Sequence, residues 1–322
     1  MNLKSNKAIT LVALIITIIV LLILAGVCLS MVLGENGLIN KAQSSVDKYK
    51  ESSENEQNLL NQIDEYFDGK GLGPSISNTE SYVGKYADVD GDGIVDGVIY
   101  ADLAVGGSGT WNPSENSSYN SNGEYTIPKV TTGLKEYCVS QKSYTNAING
   151  EQEVIRAKTT SGTPRFYVMA LTDIDGKQNG TYYDWYNAAY TNEMNDYAST
   201  TSGDFGRGAS NTKTMVAKWN AKDYGEQNTC SSHKDLWGEI QDQVNRGWYV
   251  PSRAERAAFG GELSINTSNY ESKGLSKWYW SSSQCNHNGA WYVNFLNGYV
   301  RNGNVGSDGA RSRSYVRLGT TF

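Results

Sequence analysis

The sequence predicts an α+β protein, with one long apolar helix at the N-terminus followed by a single domain of short strands and helices. Three observations carry this reading. Ala8–Leu33 is apolar except for Thr10, Thr17 and Ser30, longer than the roughly 20 residues that span a bilayer. From Ser81 onward the texture changes to short β-like runs separated by Gly, Asn and Ser, with a few helical stretches and no βαβ alternation. The 322 residues include 22 Tyr and 8 Trp but only 5 Pro, which fits a β-rich, loop-heavy surface module.

The elements follow in order. Met1–Lys7 carries Lys4 and Lys7 and no acid, so the N-terminus is expected in the cytoplasm and the bulk of the chain outside. A cleaved secretory signal fits less well, because the apolar run exceeds a signal core and no small-x-small cleavage site follows it. Glu35-Asn36-Gly37 interrupts the pattern, and Ile39–Phe67 then reads as a polar helix with Val46, Tyr49, Leu59, Leu60, Ile63 and Phe67 near helical spacing. Such a segment is either a stem or a solvated spacer. Asp68-Gly69-Lys70-Gly71-Leu72-Gly73-Pro74-Ser75 breaks all periodicity. The divisions are therefore 1–8 (leader), 9–33 (membrane helix), 34–68 (stem), 69–80 (linker) and 81–322 (domain).

Within the domain, Val98–Val105 and Arg165–Leu171 read as strands, and Tyr183–Tyr197, Asn211–Asn220 and Asp235–Asn245 as helices. The last of these stops at Arg246-Gly247. Ser252-Arg253-Ala254-Glu255 is a capping box that opens a further helix after Pro251. Trp278-Tyr279-Trp280, Ala290–Phe295 and Ser314–Leu318 return to strand.

Charge and cysteine content exclude several function classes. A net charge of −6 argues against a nucleic-acid partner, which calls for a basic face. The four cysteines, Cys28, Cys138, Cys230 and Cys285, form no CxxC pair, and Cys28 sits in the apolar helix. Zinc ribbons and dithiol redox motifs are thereby excluded and mostly free thiols are expected. Two histidines, His233 and His287, do not supply a multi-histidine metal site or a His-based triad.

Asp88-Val89-Asp90-Gly91-Asp92-Gly93-Ile94-Val95-Asp96 has the DxDxDG spacing of a calcium loop. Alternate carboxylates can converge on a hard cation while the sixth-position glycine permits the turn. The candidate metal residues are Asp88, Asp90, Asp92 and Asp96. The twelfth-position glutamate is missing, since Ile99 stands there, so an acid-decorated turn is the alternative.

Two resemblances add to this. Lys7-Ala8-Ile9-Thr10-Leu11-Val12-Ala13-Leu14 resembles the start of a type IV prepilin or pseudopilin. The resemblance implies a prepilin peptidase cut between Ala8 and Ile9, and other pilin subunits as partners. The fifth mature residue, usually glutamate in pilins, is Ala13, which bears on filament assembly and not on anchoring. In the domain, Gly247-Trp248-Tyr249-Val250-Pro251-Ser252-Arg253-Ala254-Glu255, Trp278-Tyr279-Trp280-Ser281-Ser282-Ser283-Gln284, Ala290-Trp291-Tyr292-Val293-Asn294-Phe295 and Tyr315-Val316-Arg317-Leu318 resemble the C-type-lectin fold of the formylglycine-generating-enzyme type. The likeness is greatest to variable proteins of diversity-generating retroelements. It implies a rigid scaffold whose C-terminal region carries diversified ligand contacts, arising from miscopied adenines that cannot yield Lys, Glu, Gln, Met or Trp. From Cys285 to Phe322 there is no Lys, Glu, Gln or Met, and only Trp291 departs from the permitted set. Trp291 is assigned to the fixed core.

The variable region is placed at about 285–314. Its candidate ligand contacts are Cys285, Asn286, His287, Asn288, Tyr292, Leu296, Tyr299, Arg301, Asn302, Asn304, Asp308, Arg311 and Arg313. Small polar residues with Tyr and Arg anchors are paratope-like chemistry. Arg301, Arg311, Arg313 and Arg317 share the segment with one acid, Asp308, so an anionic protein or surface glycan is the expected extracellular ligand. Arg317 is assigned to a structural ion pair. An enzymatic reading of the formylglycine-generating type requires a C-terminal cysteine pair, and here Cys285 stands alone. No phosphate loop, GxSxG or HExxH motif is present, nor the EPN or QPD tripeptide of calcium-dependent sugar-binding lectins. The sequence thus predicts a non-catalytic, surface-displayed binding protein, with a purely structural minor pilin as the alternative.

Overall fold

The computed structural model describes residues 5–33, most of 44–60, 73–111, 120–121, 123–186, 193–229, 234–304 and 313–322. It divides into two compact units, Met1–Gly71 and Leu72–Phe322. The first unit is built on α1, an unbroken helix over Ser5–Leu33 of 29 residues. Its described side chains lie at 13–27 and are exposed on every face, Leu14, Ile18, Leu21 and Leu22 among them. A helix apolar all round needs apolar surroundings. Among the described residues no helix is long and apolar enough to cross a membrane. Residues 13–27 alone reach about 22 Å, short of the roughly 30 Å hydrocarbon core. The membrane-spanning helix expected over 9–33 is therefore not shown, although the helix itself is. Residues 44–50 are helical, with Val46 and Tyr49 exposed.

The second unit is mixed α+β and mostly sheet. A six-stranded sheet runs in the order β15-β8-β2-β1-β7-β6. Its members are β1 (Tyr86–Asp88), β2 (Gly97–Asp102), β6 (Tyr137–Asn146), β7 (Gly150–Ala157), β8 (Phe166–Ala170) and β15 (Gly319–Thr321). Every neighbour is antiparallel except the β1–β7 pair. All six residues of β2 are buried because both faces of the sheet are covered. Val98 and Tyr100 join the core shared with Phe259, Tyr279 and Phe295, while Ile99 joins Ile155, Phe166 and Phe322 on the reverse face. This is the period-2 alternation of a central strand. A second sheet, β11-β12-β13-β4, comprises β11 (Trp278–Asn286), β12 (Gly289–Asn294), β13 (Tyr299–Asn304) and β4 (Asn120–Ser121). Smaller pairings join β3 (Gly107–Thr110) to β5 (Glu124–Ile127), and β9 (Tyr183–Asp184) to β10 (Lys234–Asp235) and β14 (Arg313–Ser314).

The helices of this unit are α2 (Tyr197–Thr200), α3 (Gly208–Ala221), α4 (Leu236–Glu239), α5 (Gln241–Asn245) and α6 (Arg253–Glu262). α6 begins with the expected capping box: Glu255 N–H donates to Ser252 Oγ at 3.3 Å and Ser252 N–H to Glu255 Oε2 at 2.7 Å. Its carboxylate also accepts from the backbone of Gly206 and Gly208, at 3.0 and 3.3 Å. One buried acid thus caps the helix and fastens the loop that leads into α3.

Three segments differ from expectation. Of the helix expected over Tyr183–Tyr197, residues 183–186 and 193–196 are not helical; Tyr183–Asp184 is strand, and Tyr183, Trp185 and Tyr186 are all buried. Burial of neighbouring aromatics without 3.6 spacing reflects a segment sunk between elements. Asp235–Asn245 is two short helices broken at Ile240, whose φ of −99° and ψ of 5° leave the helical region. Ser314–Leu318 is not a continuous strand either. Tyr315 bridges Tyr279 alone, and the chain re-enters sheet only at β15.

Candidate functional site

The predicted ligand residues lie mainly on the second sheet. β11 and β12 are joined by the tight turn His287-Asn288, with Asn286 opposite Gly289. Asn286 Oδ1 accepts the Asn288 N–H at 3.0 Å, fixing the turn locally. β12 and β13 are joined by 295–298, where Gly298 takes a φ of +69° and its N–H bonds to Asn294 O at 2.8 Å. Because β12 has six residues, the two turns stand about 17 Å apart at opposite ends of the sheet. Asn286, His287, Asn288 and the Asn304 end of β13 share one end, since Gly289 pairs with Asn304. Leu296 is exposed at the other. The thirteen candidates therefore do not form one patch.

The sheet that carries these turns is braced on both faces. Trp280, Ala290 and Tyr292 pack into one apolar cluster with Trp185 and Trp237, and Tyr279, Val293, Phe295 and Val300 into another with Trp111 and Phe259. Tyr292 lies edge-on to Trp280 with centroids 5.8 Å apart, so its ring is held by the core. Trp291 is half-buried, with the Arg253 guanidinium 5.5 Å from its ring. Arg301, opposite Tyr292 in register, is exposed. The backbones of Tyr299 and Asn302 pair with Asn294 and Trp291, and their side chains, with Asp308 and Arg311, lie outside the described residues.

Burial and ion pairing bear on three residues of this segment. Cys285 is half-buried and burial pushes its thiol up to about 12, so it is a poor nucleophile. Arg313 is not free for an anion: its Nε lies 3.1 Å from Asp184 Oδ1. Arg317 pairs with Asp173 at 2.7 Å, as assigned. The acids that neutralise the segment come from distant parts of the chain, which a local charge count does not register. Among the described residues, Arg301 is the exposed arginine of the segment. Conversely, sequence reading missed Glu193, whose carboxylate lies 3.7 Å from His287 Nε2, and Met194, whose N–H donates to His287 O at 2.5 Å. Both lie in irregular chain with no periodic signal.

The acidic loop between β1 and β2 folds as its spacing suggested, with one exception. Ligand oxygens of Asp88, Asp90 and Asp96 lie within 4.8 Å of one another, and Asp92 is not among them. Asp92 Oδ1 instead accepts the Ile94 N–H at 2.7 Å. Gly91 and Gly93, at φ of +81° and +90°, turn their N–H groups onto Asp88 at 2.8 and 3.0 Å. Burial raises Asp96 to about 6 despite the Val89 N–H bond, and the charges of Asp90, Asp88 and Asp92 add to the rise. Arg156 supplies a cation to the loop already, with its Nε 3.0 Å from Asp88 Oδ2 and its Nη2 2.7 Å from Gly91 O. Three oxygen donors suit calcium, but that ion would share Asp88 with a guanidinium.

No family model and no curated protein matches the chain. A fimbrial protein from Bacteroides ovatus is a weak structural neighbour, with a TM-score of 0.31 and 17% identity over 49% of this chain and 36% of that one. A likeness at that level carries no argument about fold or function.

Proposed function

We propose that this protein is a non-catalytic, surface-displayed ligand-binding protein whose variable contacts sit on the β11–β12 turn and the adjoining end of β13. The observation that carries the reading is the contrast between that turn and its support. His287 is exposed and flanked by the polar, half-buried Asn286 and Asn288, while the sheet beneath them is fixed by apolar clusters on both faces. A binding surface of this kind tolerates substitution at its tip because the scaffold does not depend on the tip.

The lectin-type reading is supported by the convergence of the four sequence motifs. Arg256 of α6 donates to Trp280 O at 3.1 Å and to Arg317 O at 2.6 Å, and Tyr249 exchanges backbone hydrogen bonds with Gly319 at 2.8 Å. The apolar run Ala8–Leu33 supports anchoring in a membrane through a pilin-like helix, with the second unit outside. Packing of that helix against other pilin subunits is the structural alternative, favoured by the exposed Leu and Ile side chains of α1.

The test is sequencing of the 3′ end of the gene across one population. The proposal expects substitutions concentrated at codons 285–314, a nearby reverse transcriptase gene and an imperfect template copy. Uniform sequence with no such copy would remove the diversified-site reading. Recovery of the protein in sheared filaments would favour the pilin alternative.

A further inference from the structure

The second unit holds a further concave feature away from the β11–β12 turn. A cleft of ≈ 590 Å³ opens beside the acidic loop, lined among others by Asp90, Asp96, Ile174, Arg246, Trp248 and Leu318. The end of α5 shapes one wall: Gly247 at a φ of +89° reverses the chain, and the Trp248 N–H bonds to Gln243 O at 3.0 Å. Arg246 and Trp248 are thereby brought to the same cleft as the aspartates.

Its charges are arranged unusually. Asp90 and Asp96 each spend one carboxylate oxygen on a loop N–H, from Asp92 and Val89 respectively, which leaves the second oxygen of each. The guanidinium of the loop, Arg156, engages Asp88. Arg246 lines the same cleft with the opposite sign, yet among the described residues no ion pair joins it to either acid. Opposite charges facing one cavity without meeting leave both available to a ligand that carries both. The same lining includes the apolar side chains of Trp248, Ile174 and Leu318. Gln243 adds to the lining an amide whose Oε1 is buried without a partner, so turning it toward a ligand donor sacrifices no bond at that oxygen.

We infer that this cleft binds a small zwitterion in which an amine and a carboxylate are separated by an apolar stem. The ammonium meets Asp90 and Asp96, the carboxylate meets Arg246 in charge-assisted hydrogen bonds, and the stem lies along Trp248. This site is separate from the turn at 286–288 and does not depend on that surface being diversified.

Calorimetric titration of the full chain, with chelator present, tests this using 6-aminohexanoate, hexylamine and hexanoate as probes. The expected result is binding of 6-aminohexanoate at least about tenfold tighter than either single-charge probe. Arg246→Gln should abolish its advantage over hexylamine, and Asp96→Asn its advantage over hexanoate. Trp248→Ala should weaken binding of all three. Circular dichroism and thermal melts establish that each variant is folded, and Arg246 is exposed, so that variant retains the fold. Equal binding of hexylamine and 6-aminohexanoate, or binding unchanged by Arg246→Gln, would overturn the zwitterion assignment. No binding of any probe at millimolar concentration would overturn the site.

Discussion

Arg317 donates through Nε to Asp173 Oδ1 at 2.7 Å, and both side chains are almost completely buried. Asp173 also accepts from the Tyr279 hydroxyl at 2.7 Å and the Ser276 hydroxyl at 2.5 Å, while Arg317 Nη2 donates to Gly274 O at 2.9 Å. The pair joins the 313–318 segment to β11 and to the loop after β8. Removing one member leaves a buried charge, so Arg317→Ala should cost about 3–5 kcal/mol. Denaturant unfolding of Arg317→Ala, Asp173→Ala and the double variant checks this. The double variant should lose less than the sum of the two single losses.

Glu255 gives the second unit a pH dependence. Burial raises its carboxyl from 4.5 to about 7, outweighing the backbone N–H bonds and Arg256, which favour the charged form. A raised carboxyl pKa means that the folded state holds its proton more tightly. The associated stability is therefore complete below about 4.5 and lost as pH rises through about 7. The swing is about 3 kcal/mol at most. Glu255→Gln should flatten the stability profile between these pH values, measured as the difference from the wild type in urea titrations at each pH.

Arg156 balances the acidic loop. With Arg156→Ala, Asp88, Asp90 and Asp96 stand together with no guanidinium, and the loss should be about 1–2 kcal/mol at pH 7. Asp96, raised to about 6, shares the sign of Glu255, so the loss should shrink below pH 6 as that proton returns. Millimolar calcium should also restore the variant at pH 7, because the ion supplies the missing charge. Thermal melts with calcium or chelator at pH 5 and 7 separate these effects. A variant insensitive to calcium at pH 7 would show that the loop is held by the guanidinium alone.

Tip and scaffold should separate cleanly under mutation. His287→Ala and Arg301→Ser, both at exposed positions, should leave stability within about 0.5 kcal/mol. Trp280→Ala removes a fully buried indole that also donates to Tyr183 O at 2.8 Å, and should cost about 3–5 kcal/mol. Equilibrium unfolding measures all three.

Local signals in the sequence carried much of this architecture. Short β-like runs placed β2 and β8, the Ser252–Glu255 pattern placed the start of α6, and carboxylate spacing placed three of the four loop aspartates. What escaped depends on contacts between distant segments. Asp184 lies 129 positions from Arg313 and Asp173 lies 144 from Arg317, so a window containing either arginine shows only excess charge. Tyr183–Tyr197 misled because aromatic density imitates a helix when burial comes from both sides. The cleft was illegible for the same reason, since its acids and Arg246 belong to segments with no shared periodicity.

The place of β15 has a consequence for the order of assembly. Gly319–Thr321 pairs with β8 at one edge of the six-stranded sheet, and Phe322 packs edge-on to Tyr137 and tilted against Phe166 on its reverse face. These contacts close an apolar layer that also contains residues of β1 and β7. A chain emerging from the ribosome must be synthesised as far as Phe322 before that layer can seal. Until then the aromatic side chains of that layer stay wet and the sheet lacks its rim strand beside β8.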